Sequence, residues 1–128
     1  MQLQDVEAAA RKFEREIKSG TAALVLLGVI SSARQPMYGY QITRIIDERA
    51  HAGDEPGPRF KQGALYPVLR SLERSGALES SVEPSVAGPP RRYYSITSAG
   101  EEVLGRWTLI WDATRDLVDD ILKGNDDV

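Results

Sequence analysis

The chain has 128 residues, is 41% hydrophobic and 27% charged, and carries a formal net charge of −3. Those proportions suit one folded domain with a single core and exclude a disordered chain. The absence of cysteine excludes disulfides and thiolate chemistry, and the longest apolar run, Ala22 to Ile30, falls short of the roughly 20 residues that cross a bilayer.

Residues 1–18 are charged throughout, with no signal-peptide pattern, so a cytoplasmic protein is expected. Within them Leu3, Val6, Ala10, Phe13 and Ile17 recur at alternating steps of three and four. That spacing predicts a helix with one apolar face, which Ser19 and Gly20 should end. Thr21 to about Ser32 predicts a second helix, apolar nearly all round through Leu24, Val25, Leu26, Leu27, Val29 and Ile30, and so buried. Arg34, Gln35 and Pro36 break it. A third helix is expected from about Tyr38 to Ala50, with Ile42, Ile45 and Ile46 inward, followed by a Gly- and Pro-rich loop over 51–59. Gly63–Ser75 places Leu65, Val68, Leu69 and Leu72 on one helix face, and Gly76 is the expected C-cap.

After Gly76 the period changes. Ala77–Val82 and Arg91–Thr97 read as two short strands of a hairpin whose loop runs from Glu83 to Pro90. Ser98 and Glu101 have the spacing of a capping box that opens a last helix reaching Lys123. Its apolar positions are Val103, Trp107, Ile110, Trp111, Thr114, Leu117, Val118 and Ile121, and residues 124–128 are expected to fray.

Three core helices followed at once by a two-stranded hairpin make a winged helix-turn-helix of mainly α (α+β) class. An N-terminal helix over 1–18 supports a dimer, residues 19–97 form the winged domain, and residues 98–128 form a long C-terminal dimerisation helix. The chain's charge divides to match: residues 19–100 are net +2, whereas residues 101–128 are net −5. Acidity at one end therefore says little about what the middle binds.

The stretch GPPRRYYSIT at 88–97 sets Arg91 and Arg92 beside Tyr93 and Tyr94 in the hairpin. A cationic, aromatic-flanked wing fits a phosphate backbone or a minor groove. The leucine face of the fourth helix leaves Gln62, Gly63, Tyr66, Pro67, Arg70, Ser71 and Arg74 opposite, with Lys61 just before it. Gln and Arg make bidentate base contacts, Tyr and Pro pack on a thymine methyl, and Arg or Lys meets phosphate. Alone such a face would be solvated; beside a basic wing it reads as groove-facing. Pro67 is tolerated if it lies near the first turn. Strand alternation turns Tyr94 and Ile96 inward and Tyr93 outward, where its hydroxyl can meet the backbone. Tyr38, at a helix start, is a phosphate neighbour, whereas Tyr40 is expected to pack.

Enzyme readings find little support. His51 is the lone histidine, expected to be a solvated loop residue, and it cannot complete a usual transition-metal set. No nucleophile elbow and no phosphate-cradling GxxxxGK[ST] occur. Asp112, Asp116, Asp119 and Asp120 line the outer face of the last helix and read as solvating. No cofactor and no metal are expected. The alternative to DNA binding is a winged-helix module for protein–protein assembly, which would call for an apolar reading face.

The strings MYGYQI (37–42), QGALYPVLRSLERSGALE (62–79) and GPPRRYYSITSAGEEVL (88–104) closely resemble the PadR-like transcriptional regulators. The match spans about Gly20 to Leu104, and three motifs in the right order make it specific. The resemblance implies a homodimeric, ligand-responsive repressor on double-stranded DNA, of the smaller branch with a single C-terminal helix. The loop AHAGDEPGPRF departs from it, being longer and more acidic. Leu3, Val6, Phe13 and Ile17, with Val103, Trp107, Ile110, Leu117 and Ile121, form two seams longer than one small core covers, and are the expected dimer interface. Trp107 and Trp111 could place four indoles near a twofold axis as walls for a planar aromatic effector, with Thr114 and Arg106 as polar partners, or could simply be interface core.

Overall fold

The computed structural model describes residues 2–53, 57 and 59–124. Its first element corrects the expected break. Ser19 and Gly20 lie inside one continuous helix, α1 (Leu3–Ala33). A helical glycine costs only about 1 kcal/mol against alanine and loses no hydrogen bond. Burial of Ala22, Leu26, Leu27 and Ile30 in the same helix outweighs that cost. Thr21 Oγ1 donates to the Ile17 carbonyl at 2.7 Å across the expected break. Residues 18 and 19, assigned to separate units by their pattern, thus share a helix turn. Fusion also makes α1 long and apolar enough to cross a membrane by length and composition, yet its buried side chains form the domain core. The helix is not buried all round: Leu24, Val25 and Val29 are half-buried, and only one face is fully enclosed.

Arg34 ends α1 in the left-handed region at φ 55. The next residues form a strand the sequence did not signal, β1 (Met37–Tyr38), before α2 (Gly39–Ala50). Then come α3 (Gln62–Arg74), β2 (Leu78–Glu83), β3 (Arg91–Ile96) and α4 (Ser98–Gly124). The sheet order is β1-β3-β2, all antiparallel. Met37 faces Tyr94 and Tyr38 faces Tyr93, while Leu78–Glu83 runs against Ile96–Arg91. This three-stranded sheet and the helices before it form a winged helix-turn-helix with a long C-terminal helix. Leu26, Leu27, Ile30, Ile42, Leu65, Leu69 and Leu78 fill its centre.

Gly76, at φ +88, closes α3: its N–H bonds the Glu73 carbonyl, and the Ala77 N–H reaches back to Leu72. The start of α4 also differs from the expected capping box. Thr97 is the capping residue, with its Oγ1 accepting from the Gly100 N–H at 3.0 Å. The Glu101 carboxylate instead accepts from Ser31 Oγ at 3.0 Å, joining α4 to α1. A threonine one position earlier offers the same cap, and its hydroxyl also reaches the Gly76 and Ala77 carbonyls. Of the expected frayed end, Gly124 closes α4, and residues 125–128 lie outside the described residues, as do Asp54, Glu55, Pro56 and Pro58 of the loop.

Candidate nucleic-acid interface

Burying Leu65, Leu69 and Leu72 turns the opposite side of α3 outward. Lys61, Gln62, Gly63, Pro67, Arg70, Ser71 and Arg74 are all exposed there. Tyr66 is half-buried, and its hydroxyl accepts from Gln62 Nε2 at 2.7 Å. Pro67 is the sixth residue of α3, beyond the first-turn tolerance expected for it. Lacking an N–H, it leaves the Gly63 carbonyl without its usual donor four residues on.

The wing meets this helix at its root. The Arg91 guanidinium carbon lies 4.4 Å from the centroid of the Tyr38 ring. Tyr38 in turn meets Tyr93 edge-on, with ring centroids 5.4 Å apart. Cation–π and edge-to-face packing hold the arginine over the start of α2. Arg92 is held differently. Its Nη1 donates to Ser80 Oγ at 2.9 Å, and Ser80 Oγ donates to Glu73 Oε2 at 2.6 Å. Neither Ser80 nor Glu73 stood out in the sequence. The available signal was the diagonal cross-strand position of Ser80, two residues from the partner of Arg92.

These groups surround a concavity of about 410 Å³ lined by Tyr38, Tyr40, Tyr66, Arg91, Arg92 and Tyr94, with Gly39 and Pro90 between them. Tyr40, expected to pack, is 56% exposed at its rim. Its place at the start of α2 turns the side chain away from the core. Tyr94 is buried as the strand alternation required. Burial pushes its phenol above the ordinary value and Glu73 and Tyr66 add to that rise, while Arg92 and Arg70 oppose it. At the floor lies the N-terminus of α2, where backbone N–H groups and the helix dipole favour an anion. The Tyr38 N–H there already donates to Gln41 Oε1 at 3.1 Å.

His51 lies apart from this corner. Its Nδ1 is 2.7 Å from the Asp47 carbonyl oxygen, and its Nε2 is 2.6 Å from Arg59 Nη2. At the other end of the molecule, Trp107 and Trp111 line a groove of about 370 Å³ with Gly20, Ala23, Leu24 and Ile110. Two residues expected beside them are engaged elsewhere. Arg106 lies 3.6 Å from Glu102, and Thr114 Oγ1 donates to the Ile110 carbonyl. Val103 and Trp107 pack partly on the chain's own core, whereas Leu3, Val6, Phe13, Ile17, Ile110, Leu117 and Ile121 are exposed.

A polar helix face, a helix N-terminus and a basic wing converging on one side define a winged-helix DNA-binding protein. Residues 26–106 match the transcriptional regulator PadR-like family, and the chain belongs to that family of DNA-binding regulators. Over 87 residues it is 29% identical to an uncharacterised protein from Lysinibacillus sphaericus, covering 68% of this chain and 76% of that one. It superposes on a PadR family transcriptional regulator from Eggerthella lenta with a TM-score of 0.74 and 27% identity, over 93% of this chain and 96% of the other. A PadR-like transcription factor from Bacteroides fragilis gives a TM-score of 0.61 and 26% identity, over 91% and 98% of the two chains.

Proposed function

We propose that the protein is a cytoplasmic repressor that binds an inverted-repeat operator as a homodimer and releases it in response to a small molecule. Residues 19–97 act as the reading domain in this account. The face of α3 carrying Gln62, Tyr66, Pro67, Arg70 and Arg74 enters the major groove. Lys61, Tyr38, Tyr93, Arg91 and Arg92 grip the flanking backbone. The observation that carries this reading is the convergence of the wing arginines, the α2 N-terminus and α3 on one concavity. Assembly rests on the exposed apolar rows of α1 and α4. Pairing them between two copies sets two reading helices on one side of the duplex.

The groove at Trp107 and Trp111 is the place this reading gives to a planar aromatic effector, since it offers flat apolar walls. A ligand that favours one arrangement of the subunits would change the spacing of the reading helices. Titrating planar aromatic compounds while following tryptophan fluorescence tests that part. If a broad panel leaves both fluorescence and DNA affinity unchanged, the indoles are packing alone.

The DNA reading is tested by gel shift on the duplex upstream of the protein's own coding region, against a scrambled duplex of equal composition. The expected result is binding to the first tighter by about a thousandfold. Equal affinity for both removes sequence-specific regulation from the account.

A further inference from the structure

Gln62 is tethered by Tyr66, and the tether limits which base its amide can read. Gln62 lies at the exposed start of α3, and Tyr66 follows one turn later. The tyrosine ring is pressed against the backbone of Gly39, at the start of α2. A methyl group at position 39 would come within 2.8 Å of both the ring's Cε1 and its hydroxyl oxygen. Any side chain at position 39 would oblige the ring to shift from this place. Gly39 therefore makes room for Tyr66, and the Tyr66 hydroxyl, 2.7 Å from Nε2, holds the Gln62 amide.

A primary amide has two N–H donors on nitrogen and one carbonyl acceptor. The tether uses one N–H, and where that is the N–H remote from Oε1, Gln62 keeps one donor and one acceptor side by side on its outer edge. In the major groove adenine alone presents the complement on a single base: an N7 acceptor beside an N6 amino donor. Guanine presents two acceptors there, and an amide tethered through nitrogen cannot turn both N–H groups toward them. The geometry points to Gln62 as an adenine reader in each half-site, with Tyr66 and Gly39 as the residues that position its amide. This assignment rests on the reading of α3 as the groove-facing helix. Holding the amide before DNA arrives removes a rotamer cost from binding, so the tether adds discrimination without touching a base.

The test is selection from a random-sequence duplex library with the full-length wild type, Gln62→Ala, Tyr66→Phe and Gly39→Ala. Wild type is expected to enrich an inverted repeat with one adenine per half-site that depends on Gln62. Gln62→Ala should abolish the preference at that position and spare the rest of the motif. Tyr66→Phe removes only the hydroxyl, and Gly39→Ala displaces the ring; each should weaken the adenine preference by roughly tenfold. Adding Tyr66→Phe to Gln62→Ala should change nothing further at that position. A merely structural tyrosine would instead lower affinity evenly across sequences, which overturns the inference. So does a Tyr66→Phe motif identical to that of wild type, or a wild-type motif with no adenine that depends on Gln62. Should wild type enrich no motif at all, the groove reading falls and this inference falls with it.

Discussion

At the corner of α2, α3 and the wing, the outward side chains are polar or cationic and several already hold one another. Arg91 rests on Tyr38, Arg92 reaches Glu73 through Ser80, and Gln62 is tied to Tyr66. Along the outer ends of α1 and α4 run rows of exposed apolar side chains among the charged ones: Leu3 is 74% exposed, Phe13 63%, Ile110 63% and Leu122 64%. A surface made to meet a polyanion is kept in shape by local polar contacts before its partner arrives. On the proposed reading the apolar rows meet a second copy and need no such preparation, because burial itself supplies the stabilisation, about 25 cal/mol per Å². The two regions also differ in charge, since the acidic excess is concentrated in residues 101–128. That arrangement keeps like charge away from the phosphates while leaving the reading face basic.

The largest expected effect comes from breaking the joint between the two regions. Gly100 abuts Ala77, and a side chain there would clash with the Ala77 carbonyl oxygen and press on Ile96. Backbone cannot give way as a flexible side chain can. Gly100→Val should destabilise the fold by roughly 3 kcal/mol or more, read by urea unfolding. A stable Gly100→Val protein with unchanged dimerisation and DNA binding would mean that the joint is not rigid.

Next in size is a charge in the apolar rows. Leu117→Asp or Ile121→Asp should weaken self-association on the order of a hundredfold, since an unpaired carboxylate resists burial. Light scattering at micromolar concentration should show the change while thermal unfolding of the winged domain stays cooperative. Unaltered mass would show that these residues face solvent in the assembled protein.

Smaller effects sharpen the other half of the comparison. Arg91→Ala should weaken binding to every duplex and flatten the salt dependence by about 0.9 log units, the share of one phosphate left without its cation. Tyr38→Ala, which removes the ring beneath Arg91, should act in the same direction and less strongly. A salt slope that both substitutions leave untouched would take the wing off the backbone.

The smallest effect concerns Tyr94, whose phenol is raised above its ordinary value by burial. Below that ordinary value, about pH 10, the folded and unfolded phenols are both neutral and stability does not depend on this group. As the pH climbs past it, the unfolded chain ionises first and stability falls until the folded phenol also ionises. Tyr94→Phe lacks this fall, so the two proteins should diverge in urea midpoint only above about pH 10. Parallel midpoints across that range would place the hydroxyl in water.

Most of the architecture was legible because it rests on periodicity. The leucine spacing of α3 and the inward turn of Tyr94 hold in the fold, whereas Tyr93, expected outward, is half-buried against Tyr38. What escaped was decided by contacts distant in sequence. Met37–Tyr38 is too short to show a period, and it becomes a strand only because β3 is there to pair with it. Gly20 looked like a stop because its local propensity is poor, and the packing of α1 overrode it. Thr97 displaced the expected cap because its hydroxyl also meets the turn after α3, 21 residues back. In the site the residue types were visible and their mutual engagement was not. Gln62 and Tyr66 at a four-residue spacing could have signalled their bond; Arg92, Ser80 and Glu73 needed the register of the hairpin.

The central claim joins the two regions: the apolar rows hold two copies so that their polar corners meet one face of the duplex. Hydroxyl-radical footprinting of the full-length protein on its selected duplex tests this most directly. The account predicts two protected patches related by a twofold axis, with centres about one helical turn, roughly 10 base pairs, apart. A single protected patch, or protection spread evenly along the duplex, would contradict it.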